Sequence, residues 1–182
     1  MFPYNANSNG PDRLDRPGYV NHAMLLNQAI TLFNQARWNS AVEKVKHIFH
    51  GGTHALLNLE SIPANMIRAR CYGGIKPINL DDICGTLGRA EDFDQHFHPL
   101  DDRIRDRWVS IATARSQNIP LEPVELIQIR NFYFVKDGHH RISVARALDE
   151  TAIDAEVTIW DVCGAFPWEE QPAARIILSP IS

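Results

Sequence analysis

The run Phe132-Tyr133-Phe134-Val135-Lys136-Asp137-Gly138-His139-His140-Arg141-Ile142-Ser143-Val144 passes from an apolar strand, through one glycine, straight into a helix. A strand that ends at a glycine and restarts as a helix leaves the first helical amides without intrahelical acceptors, at the positive end of the helix dipole. That combination attracts anions, and a glycine lets a ligand approach the backbone closely. Arg141, within the first turn, adds a guanidinium whose paired N–H groups match phosphate oxygens. His139 and His140 are further donors, and either can carry a proton in catalysis. Asp137 opposes a bare phosphate, and a bridging Mg²⁺ resolves that conflict because hard cations bind carboxylate and phosphate oxygens together. The structural alternative is that Asp137 caps the helix and Arg141 pairs with a surface carboxylate.

Around this run the pattern is that of a small sheet with helices. Val124–Ile129 and Phe132–Val135 read as two strands joined by a tight turn at Arg130-Asn131. His140–Leu148 reads as a helix with Ile142, Ala145 and Leu148 inward. Ile153, Ala155, Val157 and Ile159 alternate with Asp154, Glu156 and Thr158, the period of a half-buried strand. Upstream, Ile78, Leu80 and Ile83 predict a short strand, followed by the loop Gly85-Thr86-Leu87-Gly88-Arg89. Asp101 and Asp102 can cap a helix whose apolar stripe is Ile104, Trp108, Ile111 and Ala112. Asp101–Arg107 reads as a solvated face with local ion pairs.

The first part of the chain is different. Leu25, Ala29, Leu32, Phe33 and Ala36 recur at helical spacing from Asn21 onward. Ser40 with Glu43 fits a capping box, which predicts a second helix from Ala41 ending at Gly51-Gly52 and hence a helical hairpin. A shorter helical piece is expected around Ala55–Leu59. Cys71-Tyr72-Gly73-Gly74 reads as a flexible join. The expected organisation is an N-terminal arm over 1–20, a helical extension over 21–74, an α+β domain with a small mixed sheet over 75–162, and a tail over 163–182.

Composition narrows the classes. Of 182 residues, 45% are apolar and 22% charged, a globular balance, and the net charge is −4. Proteins that coat nucleic acid or anionic membranes carry a basic excess, so neither is the expected main partner; DNA is not favoured and a membrane is not expected. Cys71, Cys84 and Cys163 are odd in number and form no CxxC pair, which predicts reduced thiols in the cytoplasm. His96 and His98 with Asp92 and Asp94 are of metal-ligand type, but their spacing matches no metal motif. Ser143 reads as a packing residue rather than a nucleophile.

The order strand, helix, hairpin, helix, strand, together with Asp137-Gly138-His139-His140-Arg141, resembles the ParB/sulfiredoxin superfamily over roughly Ile78–Trp160. The matching turn is Gly-Glu-Arg-Arg in ParB proteins, Gly-Cys-His-Arg in sulfiredoxin and similar to Asp-Gly-x-His-Arg in the free-serine kinases, the branch whose motif is nearest. The resemblance implies a nucleotide whose phosphates lie among Gly138, His139, His140 and Arg141, with Thr86, Gly88 and Arg89 reaching it from the upstream loop. It implies Mg²⁺ with ATP or CTP, Asp137 holding the metal and His140 stabilising the group transferred, in NTP hydrolysis or transfer to a small-molecule acceptor. Asp92 and Asp94 are the acid/base candidates. His139 stands where sulfiredoxin has its reactive cysteine, which argues against sulfinic acid reduction. The residues after Trp160 are too few for the DNA-reading domain that follows this core in ParB proteins. The alternative is a non-enzymatic nucleotide-sensing or DNA-associated adaptor, and a ParB-like nuclease is a third reading.

Overall fold

A computed structural model describes residues 22–50, 56–164 and 166, with side chains in the first helix up to residue 46. The expected arm over 1–20 and all but the start of the expected tail lie outside the described residues. The elements in chain order are α1 (His22–His50), β1 (Leu57–Asn58), β2 (Ile67–Asn79), β3 (Ile83–Thr86), α2 (Arg105–Ser116), β4 (Val124–Ile129), β5 (Phe132–Asp137), α3 (His139–Ala147) and β6 (Ala152–Val162). The strands form one mixed sheet in the order β1-β3-β5-β4-β6-β2. β1, β3 and β5 run parallel, β4 is antiparallel to β5 and parallel to β6, and β2 closes the far edge antiparallel to β6. The chain has an α+β fold of the kind its patterning predicts.

Strand alternation divides the core into two layers. Val124 and Leu126 of β4, Val135 of β5, and Ala155 and Val157 of β6 face the helices, where they meet Trp108, Ala112, Ile142 and Val144. Ile127, Ile129 and Phe134 face the other way, onto Leu59, Ile62 and Phe166. Trp108, fully buried, holds the helical layer together. Its indole N–H donates to Ser143 Oγ at 2.8 Å, and Phe33 of α1 meets its ring edge-on at 5.5 Å. Burying side chains of this size contributes roughly 1.5–3 kcal/mol each.

The hairpin turn falls at Arg130-Asn131 as expected, with Arg130 at φ 53°. The expected helical hairpin does not form. α1 is one continuous helix, and Ser40 is buried within it instead of starting a second one. Leu25, Ala29, Phe33, Ala36 and Ser40 make one unbroken buried stripe, and no Gly or Pro interrupts His22–His50. The part of the Ala55–Leu59 stretch that is described is also not α-helical. Leu57–Asn58 pair with β3, and the next three residues form a 3₁₀ turn in which Asn58 Oδ1 accepts from the Glu60 amide at 2.9 Å.

The join expected at Cys71–Gly74 lies inside β2, which pairs with β6 along its length. The glycines there make a bulge, with Gly74 at φ 83° and the register shifting between Tyr72 and Ile75. The residues before the join therefore belong to the same sheet as those after it. The single strand expected over Ile78–Ile83 is split: β2 ends at Asn79, a capped 3₁₀ turn follows, and β3 starts at Ile83.

Candidate functional site

β3 and β5 are parallel neighbours in the sheet, so their C-terminal ends emerge side by side. From β3 the chain runs into Thr86–Arg89; from β5 it turns at Gly138 into α3. Gaps at the C-terminal ends of parallel strands, closed by a helix N-terminus, are where α/β sheets hold ligands. The pairing Thr86↔Val135 sets the two loops at the same height, and the Leu87 amide donates to Val135 O at 2.8 Å.

Gly138 precedes α3 at φ 99°, and no side chain caps the helix. The first intrahelical bond is Ile142 N–H to Gly138 O at 3.0 Å. Among the described residues, no acceptor pairs with the amides of His139, His140 and Arg141. Glycine serves packing here as well as dihedral freedom. A Cβ at Gly138 would stand 2.5 Å from Val124 Cγ1 and 3.1 Å from Arg141 Nε. The space this glycine leaves is therefore taken up by the protein's own side chains.

Both histidines turn inward. His139 is 3% exposed, its Nε2 lies 2.6 Å from Thr86 Oγ1, and its ring stacks on Phe93. His140 is 6% exposed and meets Phe93 edge-on, and its Nδ1 is buried with no hydrogen-bond partner. Burial, with the Arg89 charge, pushes His139 down to about 4. Burial, with Arg107 and Arg89, brings His140 down to about 4 as well. Both rings are therefore neutral at pH 7.

Arg141 is not presented as an open fork. Nη1 donates to Glu122 O at 2.6 Å and Pro123 O at 3.0 Å, and Nη2 donates to Asp137 Oδ2 at 2.6 Å. The structural alternative for this turn holds in one of its two parts: the carboxylate pairing of Arg141 is present, with Asp137 itself, and the Asp137 cap is not. Arg89 is the exposed cation of the site, at φ 57° beside Gly88 at φ 84°.

The two acid/base candidates differ. Asp92 sits between guanidiniums, with Arg103 Nη2 at 2.6 Å and Arg89 Nη1 at 3.4 Å. Asp94 is fully buried and accepts from the amides of His96 and His98 and from His98 Nδ1. Burial would raise its pKa, but these bonds and the charge on His98 outweigh burial and hold it below the usual carboxylate value. Asp94 thus folds the 94–98 loop. That loop carries Phe97, the aromatic under Arg146, and brings the chain back to pair Phe93 with Pro99. Among the described residues, no three His, Cys, Asp or Glu side chains are placed to hold a metal ion together.

Thr86, Arg89, Asp92, His139 and His140 come together, with Gly88 in the same loop, while Arg141 and Asp137 form the neighbouring edge. Two members were missed by sequence reasoning. Phe93 contacts both imidazoles, and Arg107, on the solvated face of α2, acts on His140 by its charge. A buried aromatic in an irregular loop has no periodicity to reveal it.

No family model matches this chain, and no curated protein matches it either. Among solved structures the chain is similar to sulfiredoxin from Arabidopsis thaliana, at 22% identity and a TM-score of 0.32, covering 46% of this chain and 82% of that one. The fold assignment rests on the strand order and register: an α+β protein built on one mixed six-stranded sheet.

Proposed function

We propose that this protein binds a nucleotide through its phosphates at the start of α3, and that it hydrolyses the nucleotide or transfers a phosphate to a small molecule. The observation that carries this reading is the uncapped N-terminus of α3, three amides without acceptors, set between the ends of two parallel strands. The exposed guanidinium of Arg89 supplies a further donor, and His140 Nδ1, buried and without a partner, becomes one only when a ligand opens the site.

In this reading the Asp137–Arg141 pair is what a ligand exchanges. Arg141 gives up one carboxylate oxygen for a phosphate oxygen while its bonds to Glu122 O and Pro123 O keep it in place. Asp137, with its side chain 59% exposed, becomes free for a cation. A single accessible carboxylate without a preformed cluster suits Mg²⁺ arriving with its phosphates, since that ion takes one or two carboxylates and fills its shell with substrate oxygens and water. Bound there, Mg²⁺ would neutralise phosphate charge. His140 orients the terminal phosphate by a neutral N–H. Asp92, whose charge acts on both histidines, is the candidate for the acceptor proton.

Calorimetry with ATP, CTP and GTP, with and without Mg²⁺, tests the reading. Binding of at least one, weakened by Arg141→Ala and by Arg89→Ala, is expected; no binding of any of them removes it.

A second reading, binding without turnover with α1 recruiting a partner, draws on one observation. Trp38, Val42 and Val45 are exposed on α1, whereas Phe33 is buried and Leu32 packs on the core. The residues to alter for this reading are therefore Trp38 and Val42.

A further inference from the structure

We infer that His139 is a positioning residue: a neutral imidazole with its proton on Nε2, clamping the Thr86–Arg89 loop onto the start of α3 through the Thr86 hydroxyl. Its importance for ligand binding rests on the phosphate reading above; its geometry does not.

The Thr86 hydroxyl has one proton and three neighbours. Its oxygen contacts Gly88 O closely, Val135 O at 3.4 Å and His139 Nε2 at 2.6 Å. Both carbonyl oxygens can only accept. Gly88 O lies within hydrogen-bonding reach of the hydroxyl, and without the hydroxyl proton between them two oxygen lone pairs would oppose each other. Val135 O already receives the Leu87 amide at 2.8 Å. The hydroxyl proton therefore goes to Gly88 O, and the proton between Thr86 and His139 must come from Nε2. Thr86 is fully buried and His139 nearly so, so water does not offer a substitute partner.

The surroundings fit an uncharged ring. Arg89 and His140 oppose a cation at His139, Asp137 and Asp92 favour one, and burial is the largest influence, against the cation. Phe93 stacks on the ring at 6.1 Å between centroids and 17° between planes, which fixes its orientation.

The clamp has a consequence for the site. Gly88 and Arg89 both adopt positive φ, a conformation that is unfavourable for the side-chain-bearing Arg89. The Thr86–Gly88 bond holds this turn, and His139 holds Thr86. Arg89 is thereby presented at the ligand edge, while neither the Thr86 hydroxyl nor His139 Nε2 is left over to meet a phosphate or a metal.

The test is long-range ¹H–¹⁵N correlation of the imidazoles in the full chain at pH 7, with His139 assigned by its loss in His139→Gln. The expected spectrum shows a neutral ring with the proton on Nε2. A ring protonated on Nδ1, or on both nitrogens, overturns the inference. Thr86→Val should change the tautomer balance of His139 and speed amide exchange at Gly88 and Arg89 at least tenfold relative to core amides, and Thr86→Ser should restore both. Unchanged ring shifts and exchange in Thr86→Val also overturn it. If Thr86→Val does not fold, the wild-type spectrum decides alone. A nucleotide titration on the same sample separates the two proposals: an Nε2–H ring with no nucleotide response retains the clamp and removes the phosphate reading.

Discussion

Thr86 Oγ1 and His139 Nε2, 53 positions apart in sequence, lie 2.6 Å apart in the fold. The contact joins the end of β3 to the beginning of α3, and both residues are buried. It ties together the two loops that the parallel pairing of β3 and β5 sets side by side. The site thus has a buried inner wall of Thr86, Phe93 and His139, and an exposed edge where Arg89 pairs with Asp92 and Asp137 pairs with Arg141.

Acid should destabilise the protein through its imidazoles. His139 and His140 are pushed from 6.5 to about 4 by burial and neighbouring arginines. Between those values the folded chain binds fewer protons than the unfolded one, so stability is complete above pH 6.5 and is lost as pH falls through 4. Each ring can contribute up to about 1.4 kcal/mol per pH unit in that window. Urea midpoints measured from pH 7.5 to 4 should fall, and the fall should be shallower in His140→Gln. A flat profile would contradict the burial of both rings.

Gly138→Ala should cost several kcal/mol, since it combines a left-handed backbone, worth roughly 1–2 kcal/mol, with overpacking of about 1–3 kcal/mol against Val124. Adding Val124→Ala relieves the clash but not the backbone, so the double variant should cost less than the sum of the single losses. Denaturant titration of the three variants measures this coupling; strict additivity would show that Val124 does not occupy the space.

How much of this was legible follows from the kind of interaction. β4, β5, α3 and β6 were readable because they carry local signals: alternation, a turn dipeptide, a glycine between strand and helix. The continuity of α1 was not. Ser40 and Glu43 match a capping pattern, and only the buried stripe from Leu25 to Ser40 shows that packing overrides it. Gly73-Gly74 looked like a linker because a bulge and a hinge share a composition; pairing with β6 distinguishes them. At the site, the residues of the turn were legible as types. What each side chain bonds was not, because the partners Thr86, Phe93, Glu122 and Pro123 lie far away in sequence or inside loops without a pattern.

Trp108→Phe should be tolerated better than Trp108→Ala, because Phe keeps the contact with Phe33 and loses the bond to Ser143. Truncation to Ala should cost about 3–5 kcal/mol, and Phe about 1–3 kcal/mol. Thermal or urea unfolding of both variants checks the order. Equal losses would mean that the indole N–H, not packing, dominates.

Arg141→Lys should behave like Arg141→Ala rather than like wild type. The guanidinium spans Glu122 O, Pro123 O and Asp137 at once, and an ammonium cannot reproduce that fork. Asp137→Asn should weaken the Mg²⁺-dependent part of nucleotide binding while leaving the fold nearly as stable, because this exposed pair contributes no more than about 1 kcal/mol. Binding and unfolding measured on the same three preparations separate the two effects.

The most direct measurement is the chemical-shift response of the His139, His140 and Arg141 backbone amides to ATP or CTP with Mg²⁺. Saturable shifts at these three amides, ahead of those in α1 or β2 and attenuated in Arg141→Ala, are the predicted result. If no nucleotide moves these amides, the start of α3 is not a phosphate site.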